Sequence, residues 1–114
     1  FADTDTTSWA NLLPKGKSKI VGGRYFAPEL DTNATPTATF TIGTTADADG
    51  LLTEKGAAVG LQNSLAGQLH YEFDGALIGT EIDATDIVKT ITAAVATGAT
   101  AGTEWIELDI EAVR

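Results

Sequence analysis

In the segment from Thr103 to Val113, aliphatic side chains recur at every second position from Ile106 to Ala112, and this period of two constrains the fold more than any other feature of the chain. One face carries Ile106, Leu108, Ile110 and Ala112, and the other carries Trp105, Glu107, Asp109 and Glu111. Successive side chains of a β-strand point to opposite faces, whereas a helix buries every third or fourth residue. The segment therefore predicts a β-strand with one buried face and one acidic outer face.

A second alternating segment runs from Asp86 to Ala96. One face of this segment carries Ile87, Lys89, Ile91, Ala93 and Val95. Residues 97–102 connect it to the last strand and are rich in glycine, alanine and threonine, which is typical of a flexible turn. The two strands are therefore predicted to pair as an antiparallel hairpin.

Shorter alternating segments lie in the first two thirds of the chain. Residues 69–73 predict a strand, the Asp74-Gly75 pair predicts a tight turn, and residues 76–78 are expected to begin the return strand. Residues 37–42 predict another strand, whose inward-facing residues are Ala38, Phe40 and Ile42. Strands of this kind pair through local turns in antiparallel sheets.

The strand predicted at residues 19–27 contains the Gly22-Gly23 pair, where a bulge or a close approach of another backbone is expected. Residues 28–36 contain two prolines and an asparagine and predict a loop. Residues 43–50 are also loop-like. Residues 51–67 mix glycine with apolar residues and are compatible with either a helical turn or short strands.

With 114 residues, the chain is expected to form one domain. The absence of cysteine excludes disulfides and thiolate zinc sites. About six to eight short strands separated by turns predict an all-β, antiparallel, jelly-roll-like β-sandwich at residues 19–114, preceded by an extended N-terminal arm at residues 1–18. Because Phe1 comes first and the chain has no methionine, we expect the natural chain to start upstream.

The chain contains 7 Lys and Arg and 16 Asp and Glu, which gives a net charge of −9. This charge argues against nucleic acid as a partner. No stretch approaches the ~18–20 apolar residues that span a bilayer, so no membrane partner is expected. Four of the seven basic residues are Lys15, Lys17, Lys19 and Arg24, whereas residues 58–114 carry nine acids against two basic residues. This asymmetry indicates either two solvated regions or a basic patch that meets an acidic surface on a neighbouring subunit.

None of the motifs that suggest chemistry matches its template. Residues 47–54 resemble part of a calcium loop, but the spacing of the acids differs from an EF-hand, and an Asx-type turn is expected instead. Residues 81–86 form a second acidic cluster without a broad aromatic platform beside it. Ser64 and His70 could form a catalytic triad with an acid, but the chain contains no G-x-S-x-G nucleophile elbow. A single histidine also cannot build a multi-histidine metal site. We therefore expect a protein that is not an enzyme and has no cofactor or metal.

The two tryptophans are candidate interface residues. Trp105 falls on the polar face of the last strand, and an exposed tryptophan often marks an interface. The alternative is that the N-terminal segment covers Trp105, with Trp9 or Leu12 as the covering residue. The predicted interface set is Trp9, Lys15, Lys17, Lys19, Arg24 and Trp105.

Several short motifs occur in a recognisable order between residues 12 and 112. They are Leu12-Leu13-Pro14-Lys15-Gly16, Ile20-Val21-Gly22-Gly23, Thr39-Phe40-Thr41-Ile42-Gly43-Thr44, Asp47-Ala48-Asp49-Gly50 and Thr100-Ala101-Gly102-Thr103. In this order and composition the chain resembles small β-sandwich virion proteins encoded in the head-gene region of tailed bacteriophages. Many of these are capsid decoration (cement) proteins.

The resemblance implies a non-enzymatic structural role on the exterior of a phage capsid. Expected partners are the major capsid protein and further copies of the chain, commonly as a homotrimer. The polar, turn-rich composition of residues 1–11 separately predicts that the N-terminal arm reaches a neighbouring subunit. The alternatives are another virion component, such as a head fibre base, neck or tail protein, or a carbohydrate- or surface-binding module. Exposed aromatic side chains on one sheet face would favour the binding module.

Overall fold

The computed structural model describes residues 7–28, 37–56, 68–93 and 104–112. These residues contain strands and turns but no helix, and every strand pairing is antiparallel. The strands are β1 (Thr7–Trp9), β2 (Ser18–Pro28), β3 (Thr39–Gly43), β4 (Leu52–Gly56), β5 (Gln68–Glu72), β6 (Glu81–Ile82), β7 (Ile87–Ala93) and β8 (Trp105–Ala112). The all-β, antiparallel prediction is confirmed.

The strands form two sheets. The first sheet has the order β1-β7-β3-β4. The second sheet is built on β2, which pairs with β8 along one edge and with β5 and β6 along the other. The jelly-roll topology is not confirmed.

The apolar faces of the two sheets share one core, as the alternation requires. Tyr25 on β2 contacts Phe40 on β3, with ring centroids 5.1 Å apart, and so joins the two sheets. Phe40 also contacts Tyr71 on β5, whose hydroxyl donates a hydrogen bond to the carbonyl of Gly56 at 2.6 Å. Burial raises the pKa of Tyr71 to about 12. The fully buried apolar side chains are Ile20, Tyr25, Ala38, Phe40, Ile42, Leu51, Leu52, Leu69 and Ile87.

The strand predictions are correct in position for β2, β3, β5, β7 and β8. The inward set of β3 is confirmed, although Thr41 on its other face is also buried, because both faces of this strand are covered. Within the segment left open at 51–67, residues 52–56 form β4, and residues 57–67 lie outside the described residues.

The predicted hairpin between the last two long strands is wrong. β7 pairs with β1 and β3 in the first sheet, whereas β8 pairs with β2 in the second. Alternation identifies which face of a strand is buried, but it does not identify the strand that lies alongside. The predicted turn at residues 97–102 lies outside the described residues.

The predicted return strand at residues 76–78 is also wrong. β5 and β6 lie on the same edge of β2, as two parts of one interrupted strand. The amide of Phe73 donates to the carbonyl of Gly23 at 2.9 Å, and the amide of Gly79 donates to the carbonyl of Ile20 at 2.8 Å. Between these two bonds, residues 74–78 leave the sheet as a series of turns, which we call the excursion.

The excursion ties the second sheet to the first. The amides of Asp74 and Gly75 both donate to the carbonyl of Leu51, at 3.0 and 2.9 Å, and the amide of Leu77 donates to the carbonyl of Gly50 at 2.8 Å. Gly75 lies so close to the backbone of residues 50–51 that a β-carbon would clash with it. The Asp74-Gly75 pair therefore makes a bridge between sheets and not a hairpin turn.

The extended N-terminal arm is not confirmed in residues 7–18. β1 pairs with β7 at the edge of the first sheet, and Leu13 is buried with its amide donating to the carbonyl of Thr85 at 3.0 Å. The amide of Asn11 donates to a carboxylate oxygen of Asp86 at 2.9 Å. Residues 1–6 lie outside the described residues. The boundary between an N-terminal arm at residues 1–18 and a β-sandwich at residues 19–114 stays a prediction.

The bulge expected near the glycine pair is confirmed. Ile20 pairs with Ile110 and Gly22 pairs with Asp109, so Val21 is the extra residue on β2. A β-carbon on Gly23 would lie 2.5 Å from the carbonyl oxygen of Glu107 and within 3 Å of the Phe73 ring. The close approach is therefore at Gly23.

Gly23→Ala should destabilise the protein by about 1–3 kcal/mol, because backbone and a buried ring must move to admit the methyl group. Gly22→Ala is the matched control, since its methyl group would meet only the exposed carboxylate of Asp109 at 3.2 Å. We expect the control to change the free energy of unfolding by less than about 1 kcal/mol. Urea unfolding of both variants measures the difference, and equal effects would contradict the close approach.

Asp74 fixes the excursion to β4. Burial alone would raise the pKa of Asp74, but hydrogen bonds from Lys55 and from the amide and hydroxyl of Thr53 outweigh it and lower that pKa. The Lys55 ammonium lies 2.6 Å from the carboxylate, whose side chain is 46% exposed.

Because the folded-state pKa of Asp74 is lowered, its charge stabilises the fold above the unfolded pKa of about 3.9, and this contribution is lost as the pH falls through the folded value. Asp74→Asn should therefore be less stable than the wild type at pH 7, by less than about 1 kcal/mol for so exposed a pair. The deficit should shrink in acid. Urea unfolding at pH 7 and at pH 3 checks this, and an equal deficit at both values would contradict it.

Candidate functional site

The outer face of the second sheet carries the most distinctive surface of the described residues. Strand register places Phe26 on β2 between Trp105 on β8 and His70 on β5. The rings of Phe26 and His70 are stacked, with centroids 4.6 Å apart and an interplanar angle of 21°. Trp105 is 54% exposed. We call these three residues the aromatic row.

An ionic row lies next to the aromatic row, across the same three strands. Arg24 on β2 pairs in register with Glu72 on β5 and with Glu107 on β8. Its guanidinium lies 3.0 Å from Glu107, 3.3 Å from Asp109 and 3.6 Å from Glu72. The hydrogen bond to Glu107, with the charges of the neighbouring acids, raises the pKa of Arg24. The positive charge of Arg24 is therefore already paired with acidic side chains of its own chain.

The other predicted interface residues have different surroundings. Lys15 and Lys17 are exposed in the loop before β2, and Lys19 is half-buried at the start of β2, in register with Glu81 and Glu111. The basic patch therefore presents Lys15 and Lys17 to solvent, whereas Arg24 already has acidic neighbours.

Trp9 is packed against the core and does not share the exposure of Trp105. Its ring meets that of Tyr25 edge-on, with centroids 6.5 Å apart.

Some large aliphatic side chains are also exposed. Leu12 is 39% exposed. Ile110, which points to the inner side of β8, is also 41% exposed, so β8 presents apolar surface on both of its faces.

The acidic motifs form no convergent site. Thr44 and Asp47 close the turn before Gly50 through reciprocal backbone hydrogen bonds, and a hydrogen bond with Asp49 raises the pKa of Asp47. A groove of about 260 Å³ is lined by Thr44, Thr45, Ala46, Asp83, Ala84, Thr85 and Asp86. Within the described ranges, no three histidine or acidic side chains are grouped so that they could hold a metal ion.

His70 lies 3.4 Å from Glu72 on the outer face of β5, as a neighbour of the ionic row. Ser64, the other residue of the weighed triad, lies outside the described residues. The described part of the chain contains no helix that would span a bilayer.

A buried polar cluster lies between the two sheets and was not predicted from the sequence. Lys89 on β7 is fully buried, and its ammonium donates to a carboxylate oxygen of Glu104 at 2.5 Å. The hydroxyl of Tyr25 donates to the same oxygen, also at 2.5 Å. Burial, followed by the charge of Glu104 and this hydrogen bond, raises the pKa of Tyr25 well above its usual range. We call these three residues the core triad.

The sequence contained a signal for the core triad. Lys89 falls between Ile87 and Ile91 on the apolar face of β7, where a charged side chain must either be solvated or be paired. The structure shows the pairing. The acid that pairs with Lys89 is Glu104, the residue just before β8, and β8 belongs to the second sheet.

Comparison with known proteins found no family model, no curated protein and no solved structure that matches the chain.

The charges of the ionic row should make the effect of substituting Arg24 on stability depend on the salt concentration. Arg24→Gln leaves three acids facing one another across β5, β2 and β8, so the urea midpoint should fall at low ionic strength. The difference from the wild type should narrow in high salt, because exposed charges are screened. Lys17→Gln, which removes the same charge from an exposed loop, should change the midpoint less. Equal effects of the two substitutions would contradict the prediction.

Proposed function

We propose that this chain is a non-enzymatic virion structural protein, a capsid decoration protein that stabilises the exterior of a tailed-phage head by bridging capsomers. Its partners are the major capsid protein and further copies of itself, as a homotrimer. The proposal is supported by the order of motifs between residues 12 and 112 and by the form of the outer face. The observation that carries it is Trp105, which is 54% exposed on a sheet face with the acids of the ionic row beside it.

The outer face has the composition of an attachment surface. Interfaces are enriched in Trp, Phe and Arg, and their strongest contacts are large aromatic side chains surrounded by polar residues. Trp105 supplies the large apolar contact, and the acids of the ionic row supply a charged rim. Lys15 and Lys17 provide a second, basic contact for acidic surface on a capsid or sister subunit.

The finer features of the fold belong to the same proposal. We propose a jelly-roll-like connection of the two sheets, and contact of the N-terminal segment with a neighbouring subunit. The first follows from the number of short strands and the second from the polar, turn-rich composition of the N-terminal segment, and the described strands provide a two-sheet frame compatible with both.

A second candidate function is a carbohydrate- or surface-binding module. The observation in its favour is that the aromatic row lies on one sheet face, where a sugar ring can stack on the exposed indole of Trp105. The carboxylates of Glu72 and Glu107 next to the row could accept hydrogen bonds from hydroxyl groups. A head fibre base, a neck protein or a tail protein is the third possibility, and copy number separates it from decoration.

Quantitative mass spectrometry of purified source particles tests the proposal by counting this chain against the major capsid protein. Decoration predicts a ratio within a few-fold of one to one. A far lower ratio would move the chain to a vertex, neck or tail. Absence from the particles would reject the virion proposal and favour the binding module.

Trp105→Ala should weaken attachment of the purified protein to particles that lack it by at least about tenfold, since truncation of a central aromatic residue typically costs 1–2 kcal/mol or more. Ile110→Ala is the matched control, because it truncates an exposed apolar residue on the opposite face of the same strand. Co-sedimentation with particles measures both variants. Unchanged attachment of the Trp105 variant would reject the outer face as the contact surface.

A further inference from the structure

The core triad places an amine and a carboxyl group in direct contact away from water. Lys89 is 0% exposed and the side chain of Glu104 is 8% exposed, and the amine nitrogen lies 2.5 Å from one carboxyl oxygen. Tyr25 on β2, which is hydrogen-bonded to Glu104, and Ile87 on β7 are both fully buried members of the hydrophobic core. The two groups therefore have a defined mutual orientation and little access to solvent.

Amide formation requires one proton to move between the two groups. Taking an ammonium and a carboxylate out of water is costly, and their mutual attraction only partly offsets this cost. Transfer of one proton from the ammonium to the carboxylate gives a neutral amine beside a neutral carboxylic acid. These are the forms in which an amine can attack a carboxyl carbon.

We propose that Lys89 and Glu104 are joined by an intramolecular amide bond, formed spontaneously in the folded protein. This inference concerns the core and is independent of the proposed function.

The reaction balances within the triad. The Nζ atom of Lys89 forms a bond to the Cδ atom of Glu104, and the bond from Cδ to Oε2 breaks. Oε2 leaves as one water molecule, with the proton that passes from the ammonium to the carboxyl group and one further hydrogen from Nζ. No oxidant, reductant or other reactant is needed.

Tyr25 acts as a positioning residue for this step. Its hydroxyl donates to Oε1 of Glu104, which is the oxygen that remains as the amide carbonyl. The hydrogen bond polarises the carboxyl group and stabilises the negative charge that develops on Oε1 during the attack. Because burial is the main cause that raises the pKa of Tyr25, the phenol keeps its proton and stays a donor.

The product suits its surroundings better than the reactants do. An amide is uncharged, and its carbonyl still accepts the hydrogen bond of Tyr25, so the buried charges disappear while the polar contact is kept. The bond would connect β7 of the first sheet to the residue before β8 of the second. It would therefore close a covalent loop across the sandwich, which restricts the unfolded chain as a disulfide does.

Mass spectrometry of the purified, denatured full chain tests the proposal. The intact mass should be lower than the sequence mass by one water molecule. After proteolysis, fragmentation should identify one branched peptide that joins Lys89 to Glu104. A full sequence mass with both side chains free would overturn the proposal, and so would a one-water deficit located elsewhere, such as at the Asp-Gly pairs.

Two variants distinguish formation of the amide bond from effects of side-chain packing. Tyr25→Phe keeps the ring but removes the hydroxyl, and we expect the branched fraction to fall at least severalfold in protein analysed at the same time after synthesis. Lys89→Met should have the full mass of its own sequence. A branched fraction that is the same in Tyr25→Phe as in the wild type would reject the positioning role. The wild-type peptide map decides the bond itself, even if a variant fails to fold.

Discussion

Lys89 is a fully buried amine on the apolar face of β7, and its contact with Glu104 joins the two sheets. Glu104 is the residue just before β8 of the facing sheet, and its carboxylate accepts a hydrogen bond from the Lys89 ammonium. Removing one partner of such a buried pair typically costs about 3–5 kcal/mol, whereas replacing both with apolar residues is often neutral. The contact therefore selects one alignment of β7 against the start of β8 more than it adds net stability. An amide at this position would make that alignment permanent.

Backbone contacts join the sheets at a second place, the excursion between β5 and β6. Here the amides of residues 74, 75 and 77 donate to carbonyls at residues 50 and 51, so the sheets are linked by hydrogen bonds as well as by side chains. The link requires glycine at position 75, since any β-carbon there would meet the opposite backbone. Asp74 then fixes the excursion to β4 through Lys55 and Thr53. The core triad and the excursion are thus two independent connections between the same two sheets.

Sequence alternation predicted the positions of β2, β3, β5, β7 and β8 and the inward set of β3, because burial on one face leaves a period of two in the residues. The predicted inner face of β8 is less buried than expected, since Ile106 and Leu108 are half-buried and Ile110 is 41% exposed. The bulge was predicted from the adjacent glycine pair and not from alternation. It could not predict that β7 and β8 belong to different sheets, since pairing is decided by contacts far apart in sequence. The Asp74-Gly75 pair was misinterpreted because its local turn preference is weaker than the tertiary hydrogen bonds to Leu51.

The candidate site was predictable in composition but not in arrangement. The alternation of β8 placed Trp105 on the outer face, where the structure finds it exposed. The row that it forms with Phe26 and His70 depends on the register of three strands, and no local pattern specifies that register. Arg24 was grouped with the nearby lysines by sequence proximity. In the fold it is surrounded by Glu72, Glu107 and Asp109, which come from two other strands.

The central functional claim is that the outer face of the second sheet is an attachment surface on a phage head. Electron cryomicroscopy of purified source particles tests this most directly, because it shows both the position and the orientation of the domain. The account predicts density for the domain across the shell exterior, with Trp105 and the aromatic row covered by capsid protein or by a sister subunit. A domain bound to the shell with the aromatic row facing solvent, or a shell without the domain, would contradict it.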